Sequence, residues 1–128
     1  MDGRILIVDD QQSNIRLLEY TLRRAGFALI TSTTDPRAVI ALHREHRYDL
    51  ILLDLVMPGM DGFQVMESLA EMEKGGQLPI LVMSAEPRHE ARAMQAGARD
   101  FISKPFVLTE VVTRVSSLLD KKKIAAAQ

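Results

Sequence analysis

Leu50-Ile51-Leu52-Leu53-Asp54-Leu55-Val56-Met57-Pro58-Gly59-Met60-Asp61-Gly62 decides how the rest of the chain is read. Its opening aliphatic residues do not alternate with polar ones. Such a run suits a strand buried on both faces, as in a parallel sheet covered by helices. The run closes on a carboxylate, Asp54, and Met57-Pro58-Gly59 makes a turn. Asp61 can then cap a helix that turns Val65, Met66 and Leu69 inward, with Gly75-Gly76 at its end.

The same pattern recurs on both sides. Upstream, Arg4 to Val8 is a strand closed by Asp9-Asp10. Ser13 or Asn14 begins a helix with Ile15, Leu18, Leu22 and Ala25 on one face and Gly26 just past its end. Ala28 to Thr31 is a weaker strand. Asp35-Pro36 caps a helix carried inward by Val39 and Leu42, to about Glu45. Downstream, Pro79 to Met83 is a strand closed by Ser84-Ala85. Arg88 to Ala96 is a helix followed by Gly97, and Arg99 to Ile102 is the fifth strand. After Lys104-Pro105, Leu108, Val111, Val112, Val115, Leu118 and Leu119 form the clearest helical stripe. Five strands alternating with five helices predict an α/β fold with right-handed crossovers: a doubly wound, five-stranded parallel sheet, (βα)5. Residues 1–120 form one domain. Residues 121–128, Lys121-Lys122-Lys123 and then Ala125-Ala126-Ala127, are a short basic and Ala-rich tail or the start of a linker.

Composition narrows the function. The 128 residues carry 16 basic and 17 acidic groups, a net charge of −1, which argues against direct nucleic-acid binding. Six aromatics and no Trp make a base-stacking platform unlike this chain. The absence of cysteine excludes a disulfide scaffold, a thiolate zinc site and a thiol nucleophile, and fits a reducing compartment. No apolar run approaches the roughly 18 residues of a membrane span. The charged strand at Arg4 leaves no room for a signal peptide. These features together predict a cytoplasmic protein with no membrane contact.

In a doubly wound sheet, ligands bind beyond the carboxyl ends of the strands. Asp9-Asp10, Asp54, Ser84 and Lys104 all fall at such ends, so all five should face one crevice. Three adjacent carboxylates repel one another. A hard divalent cation such as Mg²⁺ relieves that repulsion with oxygen ligands alone. Lysine adds a movable point charge, and serine a hydroxyl donor for an incoming oxyanion. The set suits a phosphoryl group placed on an aspartate nucleophile.

Ile5-Leu6-Ile7-Val8-Asp9-Asp10, Leu53 to Gly62, Met83-Ser84-Ala85 and Lys104-Pro105-Phe106 resemble, in order and spacing, the receiver domains of two-component response regulators, including the chemotaxis regulators. The resemblance runs from about residue 4 to 120. It implies a flavodoxin-like strand order 2-1-3-4-5. It implies that Asp54 accepts the phosphoryl group from a histidine kinase, a phosphotransfer protein or a small phosphodonor. Asp10, Asp54 and the Val56 carbonyl would ligate Mg²⁺, with Asp9 acting through water. Ser84 would hydrogen-bond the phosphoryl group, and Lys104 would pair with Asp54 or with that group. The Lys104-Pro105 peptide is expected to be cis. Phe101 takes the place of a switch aromatic, so Ser84 and Phe101 would together change the surface of helix four, strand five and helix five for a downstream partner or a homodimer. Val56 and Glu86, two residues beyond Asp54 and Ser84, would tune the phosphoryl lifetime.

Other signals are weaker. His43 and His46 lack a third metal ligand and read as a solvated face. His89 reads as a partner contact, and Arg88, Arg92, Arg99 and Asp100 as rim charges. Met57 and Met60 should border the acidic pocket, and Gly59 and Gly62 should be needed for backbone geometry alone. A metabolic phosphohydrolase would carry a second Asp at the place of Val56, so only self-phosphorylation and self-dephosphorylation are expected. A flavodoxin-like electron carrier would not put Asp9-Asp10-Gln11-Gln12 against a phosphate. Two alternatives remain: a pseudo-receiver acting as a constitutive interaction module, and the receiver of a larger regulator with an output domain.

Overall fold

The structure is a computed structural model describing residues 3–57, 59, 61–73 and 78–127; of residues 121–127 only the backbone is described. Gly75-Gly76, Pro58 and Met60 lie outside the described residues. Five strands, β1 (Arg4–Val8), β2 (Leu29–Thr33), β3 (Leu50–Asp54), β4 (Ile80–Ser84) and β5 (Asp100–Ser103), form one parallel sheet in the order β2-β1-β3-β4-β5. Five α-helices cover it: α1 (Gln12–Arg24), α2 (Val39–His46), α3 (Gly62–Met72), α4 (His89–Gln95) and α5 (Leu108–Ala127).

The unbroken aliphatic runs are explained by two cores. Ile5 and Ile7, Leu50 and Leu52, and Leu81 and Met83 pack with α1 and α5 through Ile15, Leu18, Leu22, Val111 and Val115. Their neighbours Leu6 and Val8, Ile51 and Leu53, and Val82 point to the other face, against Val39, Val65, Met66, Leu69 and Ala93. Alternate side chains of a strand leave on opposite faces, so a strand covered on both must be apolar throughout. The edge strand β2 has no fully buried residue, which is why its sequence signal is weak.

Several boundaries differ from the expected ones. β2 lies at Leu29–Thr33 rather than Ala28 to Thr31, because its register matches β1 residue for residue, from Arg4 with Leu29 to Val8 with Thr33. β4 and β5 begin one residue later than expected. Helix α1 begins at Gln12, before Ser13 and Asn14, with no side-chain cap at Gln11. The Asp9 carboxylate takes the Gln11 amide at 2.9 Å instead, and Asn14 turns back to Asp9 at 3.3 Å. Asp35 does cap its helix, but through a 3-10 turn, Pro36–Ala38, that leads into α2. Gly26 (φ 104°) and Gly97 (φ 110°) end α1 and α4 in the left-handed conformation that suits glycine. Helix α5 runs on through residue 127.

Candidate functional site

The site collects at the carboxyl ends of β1, β3, β4 and β5. Oxygens of Asp9, Asp10 and Asp54 lie within 4.8 Å of one another. Asp9 is fully buried and Asp54 nearly so. The Lys104 ammonium stands 3.2 Å from Asp9 Oδ2 and 3.2 Å from Asp54 Oδ2. Lysine therefore bridges two carboxylates, Asp9 as well as the expected Asp54. The Val56 amide donates to Asp54 Oδ1 at 3.3 Å. Burial pushes the Asp54 carboxyl up to about 6; Lys104 and the Val56 amide oppose that rise, and the Asp9 charge adds to it. The Lys104-Pro105 peptide is cis.

The turn after β3 is built by close approach. Asp61 and Gln64 form a reciprocal capping box at the start of α3. The Gly62 amide donates to the Leu55 carbonyl at 2.9 Å. A Cβ on Gly62 would stand 2.7 Å from Leu55 Cα and 2.9 Å from the Asp54 carbonyl oxygen. Gly59 has a positive φ of 85°, in keeping with the expected backbone need. Gly62 instead meets a demand for space, a correction to its reading as a purely conformational glycine. Met57 is buried in the core with Leu53 and Val65 and fills space there.

Ser84 ends β4 with a buried hydroxyl. Its Oγ accepts from the Glu86 amide at 3.0 Å and lies 3.0 Å from His89 Nδ1. The His89 contact could not be read from the sequence, since it joins a strand end to the first residue of α4 across a loop. Phe101 is only 6% exposed, so the ring expected to move inward on activation is already buried. Val56 is exposed, and the Glu86 carboxylate lies 3.5 Å from Arg88 Nε. Among the expected rim charges, Arg92 lies over the Phe63 ring at 3.8 Å and Asp100 pairs with Arg114 of α5, so both make contacts within the chain.

The histidine pair also differs from expectation. His43 is buried, not solvated, at 1% exposure. Its Nδ1 accepts the Tyr48 amide at 3.1 Å, and its Nε2 lies 2.6 Å from Glu73 Oε1. Both ring nitrogens are thereby satisfied, which is what allows the ring inside. Partners thirty residues away or on the far side of a turn leave no local signal.

The sequence profile of the response regulator receiver domain matches residues 5–116. The chain belongs to the receiver domain family of two-component response regulators. The alkaline phosphatase synthesis transcriptional regulatory protein PhoP of Bacillus subtilis is 35% identical over 98% of this chain and 52% of its own length. The transcriptional regulatory protein ResD of the same organism is 40% identical over 92% of this chain and 48% of its own. This receiver thus spans about half the length of these curated relatives. Among solved structures, the chemotaxis protein CheY4 of Vibrio cholerae superimposes with a TM-score of 0.83 at 26% identity, covering 92% of this chain and 99% of that one. The receiver domain of a histidine kinase from Syntrophus aciditrophicus gives 0.83 at 29% identity, covering 94% and 92%. No helix among the described residues is long and apolar enough to cross a membrane.

Proposed function

We propose that this receiver is a phosphorylation-dependent switch in which Asp54 is the phosphoacceptor. One observation carries the reading: a single lysine ammonium bridges two buried carboxylates, Asp9 and Asp54, at the carboxyl edge of the sheet. A carboxyl near 6 is largely ionised at neutral pH and is therefore a competent nucleophile. An Asp54 carboxylate oxygen attacks phosphorus. The new O–P bond forms as the bond from phosphorus to the donor, a histidine nitrogen or a small leaving group such as acetate, breaks, and the leaving group departs with the bonding electron pair. Lys104 can follow the negative charge from the carboxylate to the phosphoryl oxygens.

The residues present fit a hard divalent cation. The donors are all oxygens, and their mutual repulsion is what a cation would offset. Asp10, Asp54 and the Val56 carbonyl would hold Mg²⁺, with Asp9 acting through water. When bound, the ion would supply charge neutralisation for the transferring group. Ser84 and Phe101 would pass the change on to the surface of α4, β5 and α5, and Val56 and Glu86 would set the phosphoryl lifetime.

Upstream, the partner is a histidine kinase or phosphotransfer protein. Downstream, we favour an output domain of the same regulator, because relatives twice as long are transcriptional regulatory proteins. DNA contact would then belong to that output domain, with homodimerisation through the α4, β5 and α5 face and a cytoplasmic location. The test is incubation with acetyl phosphate and Mg²⁺, followed by mass spectrometry. One hydroxylamine-sensitive phosphoryl group on the peptide holding Asp54, lost in Asp54→Asn, is expected. Equal labelling of Asp54→Asn overturns the assignment.

A further inference from the structure

The Ser84 hydroxyl has one proton and a limited choice of partners. It is 1% exposed, so water offers it little. The Glu86 amide already donates to Oγ at 3.0 Å. The buried hydroxyl proton still needs an acceptor, and His89 Nδ1, at 3.0 Å, stands where one is needed. An imidazole that accepts at Nδ1 carries its own proton on Nε2.

The His89 ring is itself held. It meets the Phe63 ring of α3 edge-on, with centroids 5.9 Å apart and planes at 90°. The Arg92 guanidinium also lies on Phe63, 3.8 Å from the ring centroid and one turn along α4 from His89. The N-terminal turn of α4 thus grips α3 through Phe63 and grips the end of β4 through Ser84.

We infer that His89 is a positioning residue that holds Ser84 in the resting state by accepting a hydrogen bond from its hydroxyl, so that capture of the phosphoryl group and release of the first turn of α4 are one exchange of acceptor. The inference rests on Asp54 being the phosphoacceptor. The exchange is balanced and makes no covalent bond: the O–H to His89 Nδ1 hydrogen bond breaks, and an O–H to phosphoryl oxygen hydrogen bond forms. His89 is then left without its tie to the end of β4, and the first turn of α4 keeps its grip on Phe63. The latch opposes activation by the worth of one neutral hydrogen bond, about a three- to tenfold bias.

The experiment measures beryllofluoride affinity with Mg²⁺ by ¹H–¹⁵N NMR titration, following the Ser84 and Glu86 amides. His89→Phe keeps a ring against Phe63 and removes the acceptor. Its affinity should rise about three- to tenfold, with its unliganded amides displaced toward their bound positions. His89→Asn, whose side-chain oxygen can stand where Nδ1 stood, should return to within about twofold of wild type by keeping that hydrogen bond. In a Ser84→Ala background, His89→Phe should change nothing. If His89→Phe does not fold, His89→Leu carries the same test. Wild-type affinity in the acceptor-less variant overturns the inference, as does an undiminished effect in the Ser84→Ala background. Failure of the underlying assignment is distinct: beryllofluoride would then bind Asp54→Asn as well as wild type.

Discussion

Asp54→Asn should make the metal-free protein more stable at neutral pH, and by a calculable amount. In the folded chain the Asp54 carboxyl is raised from 3.8 to about 6, chiefly by burial. Each unit is about 1.4 kcal/mol of differential interaction, so ionised Asp54 costs the native state about 3 kcal/mol. The side chain is only 4% exposed, so solvent screening takes little of this away. Asparagine resembles the protonated acid and keeps an Oδ1 acceptor for the Val56 amide, so it avoids the penalty. For a domain of this size that is a rise in Tm of about 10 °C. The sign gives the pH window. The native state holds its proton more tightly than the unfolded chain, so the penalty is absent below pH ~4, grows between pH ~4 and 6, and is complete above that. Thermal unfolding of both proteins in chelator, from pH 4 to 7.5, yields the difference directly. Saturating Mg²⁺ should then stabilise wild type far more than the variant and close the gap. A difference that is flat across the window, or an Asn variant less stable than wild type at pH 7, would refute the account of Asp54 as a desolvated carboxylate.

Gly62→Ala should lose about 1–3 kcal/mol by overpacking against backbone, seen in urea unfolding, and should slow acetyl phosphate labelling because the Asp54 carbonyl is one of the atoms displaced. Lys104→Met should raise the Asp54 carboxyl further, since the ammonium that opposes its rise is gone. A ¹³C-detected carboxyl titration reads this shift, and a lowered value would contradict the bridging geometry. His43→Leu should cost about 1–3 kcal/mol by leaving the buried Tyr48 amide without an acceptor. Its acetyl phosphate labelling should match wild type, because nothing ties His43 to the carboxylates.

Much of this was legible from the chain. The unbroken runs at Ile5, Leu50 and Ile80 announced strands buried on both faces, and their alternation with helical stripes left few topologies. The carboxylates, Ser84 and Lys104 could be assigned to one edge because parallel strands put all their carboxyl ends together. Partner choice among side chains was not legible. His43 looked like half of a solvated pair, and only the fold brings it Glu73. Gly62 looked conformational, and only the packing of α3 on the β3 turn shows the crowding. Ser84 looked committed to the pocket, whereas His89 holds its hydroxyl.

The sequence by itself determined the sheet, its layers and the identity of the acidic edge, because periodicity and strand-end chemistry are local along the chain. The tertiary structure decided which groups touch. Lys104 reaches Asp9 across 95 residues of sequence, and the height of the Asp54 carboxyl follows from how much water the packed strands exclude. Burial and long-range pairing depend on where the chain returns, and no single stretch of residues encodes that.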